Sequence, residues 1–580
     1  MLSLALFGCD GSSSEGSGGS SSSASSAGGT GSTGGAGGAS ASSGVGGAGG
    51  ASSSTGMGGA GGAGGAGGAS SSTGMGGAGG AGGAGGASSS TGMGGAGGAG
   101  GAGGASSSTG MGGAGGAGGA GGAGGAGGAG GAGGAGGAGG AGGGPGAWTT
   151  LWSKSFPGAH VHAADSITVD GSGHVAVIGF TSFTPNFGGG PLTPAGGSDM
   201  FVAKLDASGN HLWSKLFGDA KWQDGHAIAA DGMGNLVITG FSGSAVDFGG
   251  GPLQPQGFGC YALAKLDGSG NHLWSKCFDA IISTNPFTLP ANVTVDSGGN
   301  VVLTAAFINT VDLGGGPLQT PCASVPPGQL CKELNLFVAK FDPAGNHLWS
   351  KRFDGGWGGE VWDTTVDGAG NILLTGALDG PVDFGGGVLP SGGGFDVFVA
   401  KLDPNGNHLW SKRFGAPGLQ RSQSVAVDGA GNVLLAGYFS GTIDFGGGPL
   451  VSPGNHDAFL ARFDPAGNHV WSKRFGDDTG GVFANAVAVD PAGRVLITGY
   501  SYSTPVDLGG GPLVSDLYDI FVAMFDAAGG HLASKGIGFG GISHQFPPHA
   551  ATFDGAGHVV LAVKSNEPPD LGTFITKLVP

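Results

Sequence analysis

Two neighbouring stretches decide the fold: FVAKLDPNGNHLWSKRFG at residues 398–415 and SVAVDGAGNVLLAGYFSGTIDFGGGPL at residues 424–450. Each opens with two short apolar runs joined by an Asp-x-x-Gly-Asn segment, in which Asp starts a tight turn and Gly supplies a positive φ. Four short strands separated by glycine-containing turns, without helical periodicity, are the pattern of one β-propeller blade. Both faces of a blade pack against neighbours, so continuous apolar runs are expected.

The same unit recurs throughout residues 148–580. The tryptophan of its WSK segment recurs at spacings of 61, 61, 75, 61 and 61 residues, at Trp152, Trp213, Trp274, Trp349, Trp410 and Trp471. A seventh copy has Ala533 at this position, and the 75-residue unit carries an insertion around Pro317–Lys332. The chain begins with one strand of a blade and ends with another. We therefore predict an all-β, seven-bladed propeller in which Leu151–Phe156 and Thr573–Leu578 complete a shared blade, which removes both exposed edges.

The stretch FVAKLDPNGNHLWSKRFG, followed by VAVDGAGNVLLAGY, resembles the bacterial repeat called SBBP, for seven-bladed β-propeller. The resemblance covers about three quarters of the chain. It implies a secreted or surface protein without a shared active site, so no catalytic residue is assigned from it. The D-F-G-G-G-P-L segment departs from that family's pattern. The DPAGNHLW stretch at residues 342–349 is also similar to quinone-cofactor propellers and their lipoprotein relatives, whose repeats are shorter.

The N-terminal part has a different composition. Residues 1–9, MLSLALFGC, resemble part of a lipoprotein signal with Cys9 as the lipidation site, although a basic segment is missing and Phe7 is bulkier than usual. The alternative is a chance cysteine. Residues 10–147 are almost entirely Gly, Ala, Ser and Thr, with 18-residue repeats, and have almost nothing to bury. We predict a disordered, low-complexity linker spanning about 60–70 Å, although replication slippage explains the repeats equally well.

Charge and cysteine content narrow the function classes. A net charge of −17 with only 21 Lys and Arg provides no cationic footprint for nucleic acid, and any membrane link is expected to be a lipid anchor. Cys260 and Cys277 flank one hairpin at positions where other units carry complementary pairs, such as Asp396 with Arg413. We predict disulfides between these two cysteines and between Cys322 and Cys331 in the insertion. Four buried free thiols are the alternative.

Three recurrent motifs have both a chemical and a structural interpretation. The Asp-x-x-Gly-Asn segments could suggest calcium ligands, but one Asp and one Asn around a Gly fit a tight turn better. A histidine follows this turn in six units, but equivalent positions around a ring are too far apart to share a zinc ion. The Gly-Gly-Gly-Pro-Leu segments lack the Lys-Ser/Thr and helix of a phosphate loop. We predict no catalytic residue, no cofactor and no metal site.

The loop after the WSK strand varies most between units, as a binding rim requires, although drift without function gives the same variation. The candidate ligand rim comprises His160, His162, Trp222, Gln223, Asp224, His226, Trp357, Glu360, Trp362, Arg421, Gln423, His544 and His549. The leading hypothesis is a monomeric, non-catalytic binding, adhesion or scaffold module for a protein or glycan. It would be displayed on the tether at the cell envelope, outer membrane or cell surface, or be secreted. The alternative is a secreted or envelope enzyme, a hydrolase or quinone-dependent oxidoreductase, that uses the rim.

Overall fold

The computed structural model describes four short segments before residue 148 and most of residues 148–580. Its gaps in the latter part are 158–161, 282–289, 321–333, 355–358, 478–479, 503–504, 514–517, 539–549, 566–571 and 580. Every regular element in the described part is a β-strand. The chain divides into two compact units, Met1–Gly143 and Gly144–Pro580.

The N-terminal unit contains four SSST strands: β1 Ser52–Thr55, β2 Ser70–Thr73, β3 Ser88–Thr91 and β4 Ser106–Thr109. They pair in parallel and in register, Ser52 with Ser70, Ser70 with Ser88 and Ser88 with Ser106. These four segments differ from the coil that composition predicts, and the rest of residues 10–147 lies outside the described residues. Identical segments at a constant 18-residue spacing can align the same residue side by side, a regularity that composition alone does not register.

Antiparallel pairing groups the remaining strands into four-stranded units, each named by the residue at its WSK tryptophan position. The first strands are β5 Thr149–Pro157; in the Trp213 unit β6 His162–Val169, β7 Val175–Thr181, β8 Asp199–Leu205 and β9 His211–Phe217; and in the Trp274 unit β10 Gln223–Ala230, β11 Leu236–Ser242, β12 Cys260–Leu266 and β13 His272–Ile281.

The middle of the series contains, in the Trp349 unit, β14 Asn292–Val295, β15 Val301–Asp312 with the short partner β16 Pro317–Gln319, β17 Asn335–Phe341 and β18 His347–Asp354; and, in the Trp410 unit, β19 Glu360–Val366, β20 Ile372–Leu378, the small hairpin β21 Val382–Asp383 and β22 Val388–Leu389, β23 Gly394–Leu402 and β24 His408–Phe414.

The last strands are, in the Trp471 unit, β25 Gly418–Val427, β26 Val433–Asp444, β27 Pro449–Phe463 and β28 His469–Phe475; in the Ala533 unit, β29 Gly481–Val489, β30 Val495–Tyr502, the small hairpin β31 Val506–Asp507 and β32 Pro512–Leu513, β33 Tyr518–Phe525 and β34 His531–Gly538; and then β35 Ala550–Phe553, β36 Val559–Ser565 and β37 Gly572–Val579.

The two ends of this series form one unit, the Trp152 unit. Strand β37 pairs antiparallel with β5, with Thr573 opposite Phe156 and Lys577 opposite Trp152. The first strand of each unit contacts the first strand of the next, and β35 contacts β6. The terminal strands thus pair with each other over the residues that the repeat predicts, Leu151–Phe156 with Thr573–Leu578.

The recurring turns are held by the aspartate that begins them. In the turn between β8 and β9, one carboxylate oxygen of Asp206 accepts the backbone N–H groups of Ser208 and Asn210, each at 2.8 Å. The other oxygen accepts the Asn210 side-chain amide at 2.9 Å, and Gly209 has a φ of 80°. Both carboxylate oxygens are therefore used within the turn. The turn interpretation of Asp-x-x-Gly-Asn is confirmed here.

The triple-glycine segments pack against the rings of the recurrent histidines. In the Trp274 unit, Asp247 accepts the N–H groups of Gly249 and Gly251 at 2.7 and 3.0 Å. The His272 ring lies over Gly250, where an added Cβ would overlap it. His272 Nε2 is 3.0 Å from Ser275 Oγ. The histidine and the glycines therefore pack on each other within one unit.

In most units, a tryptophan and a basic residue (lysine, or Arg462 in the Trp471 unit) donate to one carbonyl of the next unit. Trp213 Nε1 donates to the Gly268 carbonyl at 3.0 Å, and Lys204 Nζ approaches the same oxygen at 3.3 Å. Lys204 is buried in the continuous apolar strand β8, where its charge pairs with Asp170 at 2.9 Å. Elsewhere, Trp152 and Lys577 come from opposite ends of the series and both donate to the Ala207 carbonyl. The Trp152 unit thus contacts its neighbour as an ordinary unit does.

Candidate functional site

The candidate site forms where the first strands of three adjacent units begin. Glu360, Arg421 and Phe483 each lie seven residues before the aspartate of the following turn, so they occupy equivalent positions in the Trp410, Trp471 and Ala533 units. Just after each of them, the ladder shifts register, as between Ser422 and Ser424. Such a bulge leaves one residue unpaired and redirects its side chain. Equivalent positions in neighbouring units thereby bring unlike side chains together.

Arg421 is the central charged residue of this site. Its Nη1 lies 3.3 Å from Glu360 Oε2, and Trp362 Nε1 donates to the same oxygen at 3.0 Å. The guanidinium carbon is 4.8 Å from the ring centre of Phe395 and 5.9 Å from that of Trp362. Burial raises the pKa of Glu360, and the charge of Arg421 opposes this shift. Arg421 Nε is buried without a hydrogen-bond partner in the described part of the chain.

An aromatic series continues from Arg421 into the Ala533 unit. Tyr438 lies opposite Arg421 on β26, and its ring centre is 4.7 Å from that of Phe483. Phe483 stacks on Tyr500 at 4.7 Å with 4° between the ring planes, and Tyr502 follows at 5.9 Å. The His456 ring is 5.3 Å from Phe483. We refer to Glu360, Trp362, Phe395, Arg421, Tyr438, His456, Phe483, Tyr500 and Tyr502 as the aromatic rim cluster.

The aromatic rim cluster is half-buried and carries little net charge. All nine side chains are partly accessible rather than fully enclosed. Burial raises the pKa of Tyr438 and Tyr500, so their hydroxyls stay protonated at neutral pH. Burial lowers the pKa of His456, which keeps its imidazole neutral. The exposed parts therefore offer ring faces and neutral polar edges beside one internally compensated ion pair.

The rim residues predicted in the Trp274 unit form an internal network instead. Gln223 is fully buried and donates to Asp219 and Ser244, each at 3.0 Å. Asp224 is buried and accepts the Ser198 hydroxyl at 3.0 Å, and burial raises its pKa to about 6. Such engaged groups stabilise the junction of strands and offer little surface to a ligand.

The other two predicted rim residues of the Trp274 unit, Trp222 and His226, also have structural contacts. Trp222 stacks on Phe241 with ring centres 5.2 Å apart. His226 Nδ1 accepts the N–H of Ala291 in the next unit at 3.1 Å, and burial lowers the pKa of His226 to about 4. A neutral His226 can accept this bond, so it links two units. Trp222 and His226 therefore have structural contacts within the Trp274 unit and to the Trp349 unit, which contribute no residue to the aromatic rim cluster.

The remaining predicted rim residues divide into placed and unplaced ones. Gln423 is half-buried at the bulge of β25. His162 belongs to β6, but its side chain lies outside the described part. His160, Trp357, His544 and His549 also lie outside the described residues. Of the predicted set, the structure unites Glu360, Trp362 and Arg421.

Sequence reasoning missed most of the aromatic rim cluster. Phe395, Tyr438, His456, Phe483, Tyr500 and Tyr502 lie outside the loop after WSK in which the rim was sought, or at its far end. A signal existed, because Tyr438 and Tyr500 both follow a glycine at equivalent positions within the second strand of their units. Comparing outer ends of second strands between units would have found them.

The cysteines are described only in part. Cys260 and Cys277 form a disulfide, with Cα atoms 5.5 Å apart. In the Trp410 unit, Asp396 and Arg413 form an ion pair at the same positions, 2.6 Å apart. The predicted proximity of these two positions is confirmed. Cys9, Cys322 and Cys331 lie outside the described residues.

Among the residues that the structure describes, no group of three or more His, Cys, Asp or Glu side chains is arranged to hold a metal ion. Within the same residues, no helix is long and apolar enough to cross a membrane.

Comparison with known proteins adds evidence on the repeat. Residues 470–505 match the model of the SBBP β-propeller repeat family. "Uncharacterized WD repeat-containing protein L264" of Acanthamoeba polyphaga mimivirus is 22% identical over 462 residues, which cover 61% of this chain and 31% of that protein. The chain thus spans about a third of the length of this relative. The repeat and the all-β architecture define a β-propeller repeat protein.

Solved structures with similar folds are distant. The WD40 β-propeller domain of Doa1 is 9% identical with a TM-score of 0.34, covering 74% of this chain and 97% of that domain. A mutant of Synechocystis apocarotenoid oxygenase is 12% identical with a TM-score of 0.32, covering 64% and 71%. Likeness at this level carries no argument about ligand or reaction.

Proposed function

We propose that this protein is a non-catalytic binding or scaffold module and that the aromatic rim cluster is its recognition surface. The observation that carries this proposal is the convergence of Trp362, Arg421, Tyr438 and Phe483 from three successive units on one half-buried surface. Tryptophan, tyrosine and arginine dominate binding hot spots, because they combine large contact area with directed polar groups. Units of one repeat that differ at this edge provide a rigid frame for selective contacts.

The proposal includes a closed ring of seven blades. The pairing of β37 with β5 and the contacts between first strands, which return from β35 to β6, support this closure. A closed ring holds the three units of the rim at fixed spacing, so the surface is preorganised and loses little entropy on binding.

The proposed setting is the cell surface. A lipid on Cys9 would anchor the chain, and residues 10–147 would separate the propeller from the membrane. The sequence pattern around Cys9 and the length of the Gly/Ala/Ser segment support this setting. A protein or a glycan on an opposing surface is the proposed partner.

Arrays of surface proteins and glycans, probed with the full chain, would test the recognition surface. Against any specific ligand, Arg421→Ala and Tyr438→Ala should each weaken binding about 30-fold, since hot-spot truncations cost about 2 kcal/mol or more. Phe258→Ala is the matched control, because Phe258 is 79% exposed in a different unit and should leave affinity unchanged. Unchanged affinity in both rim variants would remove the aromatic rim cluster as the recognition surface.

A further inference from the structure

The parallel sheet of the N-terminal unit ends in two strands of identical sequence. Its strands lie in the order β1, β2, β3, β4, and each is the tetrapeptide SSST. Each residue lies opposite its own copy in the neighbouring strand, as Thr55 does opposite Thr73. Among the strands that the structure describes, β1 and β4 each pair along one edge alone. The sheet therefore presents a row of backbone groups at each end.

These two end edges match each other. β4 pairs with β3 in the same direction and the same register as β2 pairs with β1. A parallel strand directs its N–H and C=O groups to both sides, so the outer edge of β4 repeats the edge that β3 presents to β4. A β1 strand from another chain can therefore pair with β4 as β4 pairs with β3. A second copy of this chain already has the sequence and the strand direction that this edge requires.

The N-terminal segment lacks the sequence features that prevent such pairing. Residues 16–147 contain no charged residue, and Pro145 is their only proline. In-register stacking places each residue beside its own copy, so one charge per strand would bring like charges together. Charged side chains, prolines and bulges are common means of protecting an edge strand. The outer strand β9 of the C-terminal unit has two of them, Lys215 and a register shift beside Leu205.

We propose that the β4 edge of one chain binds the β1 edge of a second chain, parallel and in register, so that the N-terminal units form an open series. The contact joins different edges of its two partners, and a heterologous contact that only translates by one strand spacing propagates without closing. Each contact contains strands of four residues, so the association is weak and reversible in dilute solution. The series gathers several copies of the C-terminal unit, which raises avidity for a ligand presented in many copies.

Sedimentation velocity of the full chain measures this association, in a Cys9→Ser background that prevents intermolecular disulfides at this position. The weight-average mass should rise at least twofold between about 5 and about 500 µM, because a weak contact follows mass action. A chain that lacks residues 52–109 should keep the mass of a monomer throughout this range. A constant mass of the full chain, or an equal rise in the shortened chain, would overturn the proposal.

A charge variant tests which edges meet and in which register. In the proposed contact, Ser107 of β4 lies opposite Ser53 of the next chain, as Ser89 lies opposite Ser107 within one chain. Ser53→Lys combined with Ser107→Lys brings two ammonium groups together at every contact and should keep the mass at the monomer value. Within one chain, the two new lysines lie opposite unchanged serines, Ser71 and Ser89, so the internal sheet should remain.

Ser53→Glu combined with Ser107→Lys is the matched variant. It changes the same two positions but brings opposite charges together, so it should associate at least as strongly as the unmodified chain. Its association should weaken when salt is raised from about 0.05 to about 0.5 M, because salt screens exposed charges. Equal behaviour of the two charge variants, whether both associate or neither does, would refute the in-register contact between β4 and β1.

Discussion

Ile575→Ala tests whether the terminal strand contributes to the core as fully as an internal strand does. Ile575 is fully buried on β37, opposite Ala562 on β36 and Lys154 on β5. Leu460 occupies the equivalent position on β27, is equally buried and lies opposite Ala436 and Lys473. The two sites thus match in burial and in the types of their cross-strand neighbours.

Truncation at either position should cost about 2–5 kcal/mol, the range for replacing a buried Leu or Ile by Ala. If β37 is held between β36 and β5, Ile575→Ala and Leu460→Ala should agree within about 1 kcal/mol. Urea unfolding, followed by tryptophan fluorescence and far-UV circular dichroism, measures both values against the unmodified chain. A loss below about 0.5 kcal/mol for Ile575→Ala, beside a full loss for Leu460→Ala, would refute the pairing of the terminal strands as a stabilising feature.

Three other predictions concern larger changes, the disulfide and pH. Deleting residues 573–580 should abolish the cooperative melt near the original temperature, whereas deleting residues 10–147 should shift calorimetric Tm by less than about 2 °C, because Gly, Ala and Ser have little apolar surface to bury. Replacing Cys260 and Cys277 by serine should lower the free energy of unfolding in urea by about 3 kcal/mol. Replacing Cys260 by Asp and Cys277 by Arg together should recover part of this loss, since the Trp410 unit has an ion pair at these positions. Equal stability of the unmodified chain, the serine variant and the Asp/Arg variant would contradict this prediction. Burial raises the pKa of Asp224 to about 6, so the folded state binds the Asp224 proton more tightly than the unfolded state does. The free energy of unfolding should therefore fall by about 3 kcal/mol as pH rises from about 4 to above 6 and this carboxyl ionises. Asp224→Asn should lack that decline in pH-dependent urea unfolding, and identical pH profiles of the two proteins would exclude the effect.

The sequence predicted most of the local structure because repetition exposes constraints that a single segment hides. The turn role of Asp206 and Gly209 followed from the recurrence of one pattern at equivalent places. The proximity of Cys260 and Cys277 followed from Asp396 and Arg413, since complementary residues at one spacing indicate neighbouring side chains. These inferences depend on short-range geometry that each unit repeats.

The candidate site was predicted only in part because it depends on contacts between units. Glu360, Trp362 and Arg421 lie in the variable segment where a rim was sought. Phe483 joins them only because Tyr438 of the preceding unit lies beside it, a relation that linear spacing does not encode. Conversely, Asp224 has the polar character expected of a rim residue, but its partner Ser198 places it in the interior.

The tryptophan and lysine contacts between units have a consequence for how the repeats have diverged. The Ala533 unit lacks both donors, with Ala533 in place of tryptophan and Met524 in place of lysine. Its neighbour, the Trp152 unit, has no turn between β37 and β5, so the carbonyl that those donors would reach is missing. Arg494 serves instead, paired with Asp490 and donating to the Gly557 carbonyl of that neighbour at 3.2 Å. The repeats have thus kept the donor side chains where the next unit offers the carbonyl acceptor, and have lost them where β37 pairs with β5. A circular permutant that joined β37 to β5 through a new turn would restore this carbonyl acceptor. The side chains introduced by Ala533→Trp and Met524→Lys could then donate to it.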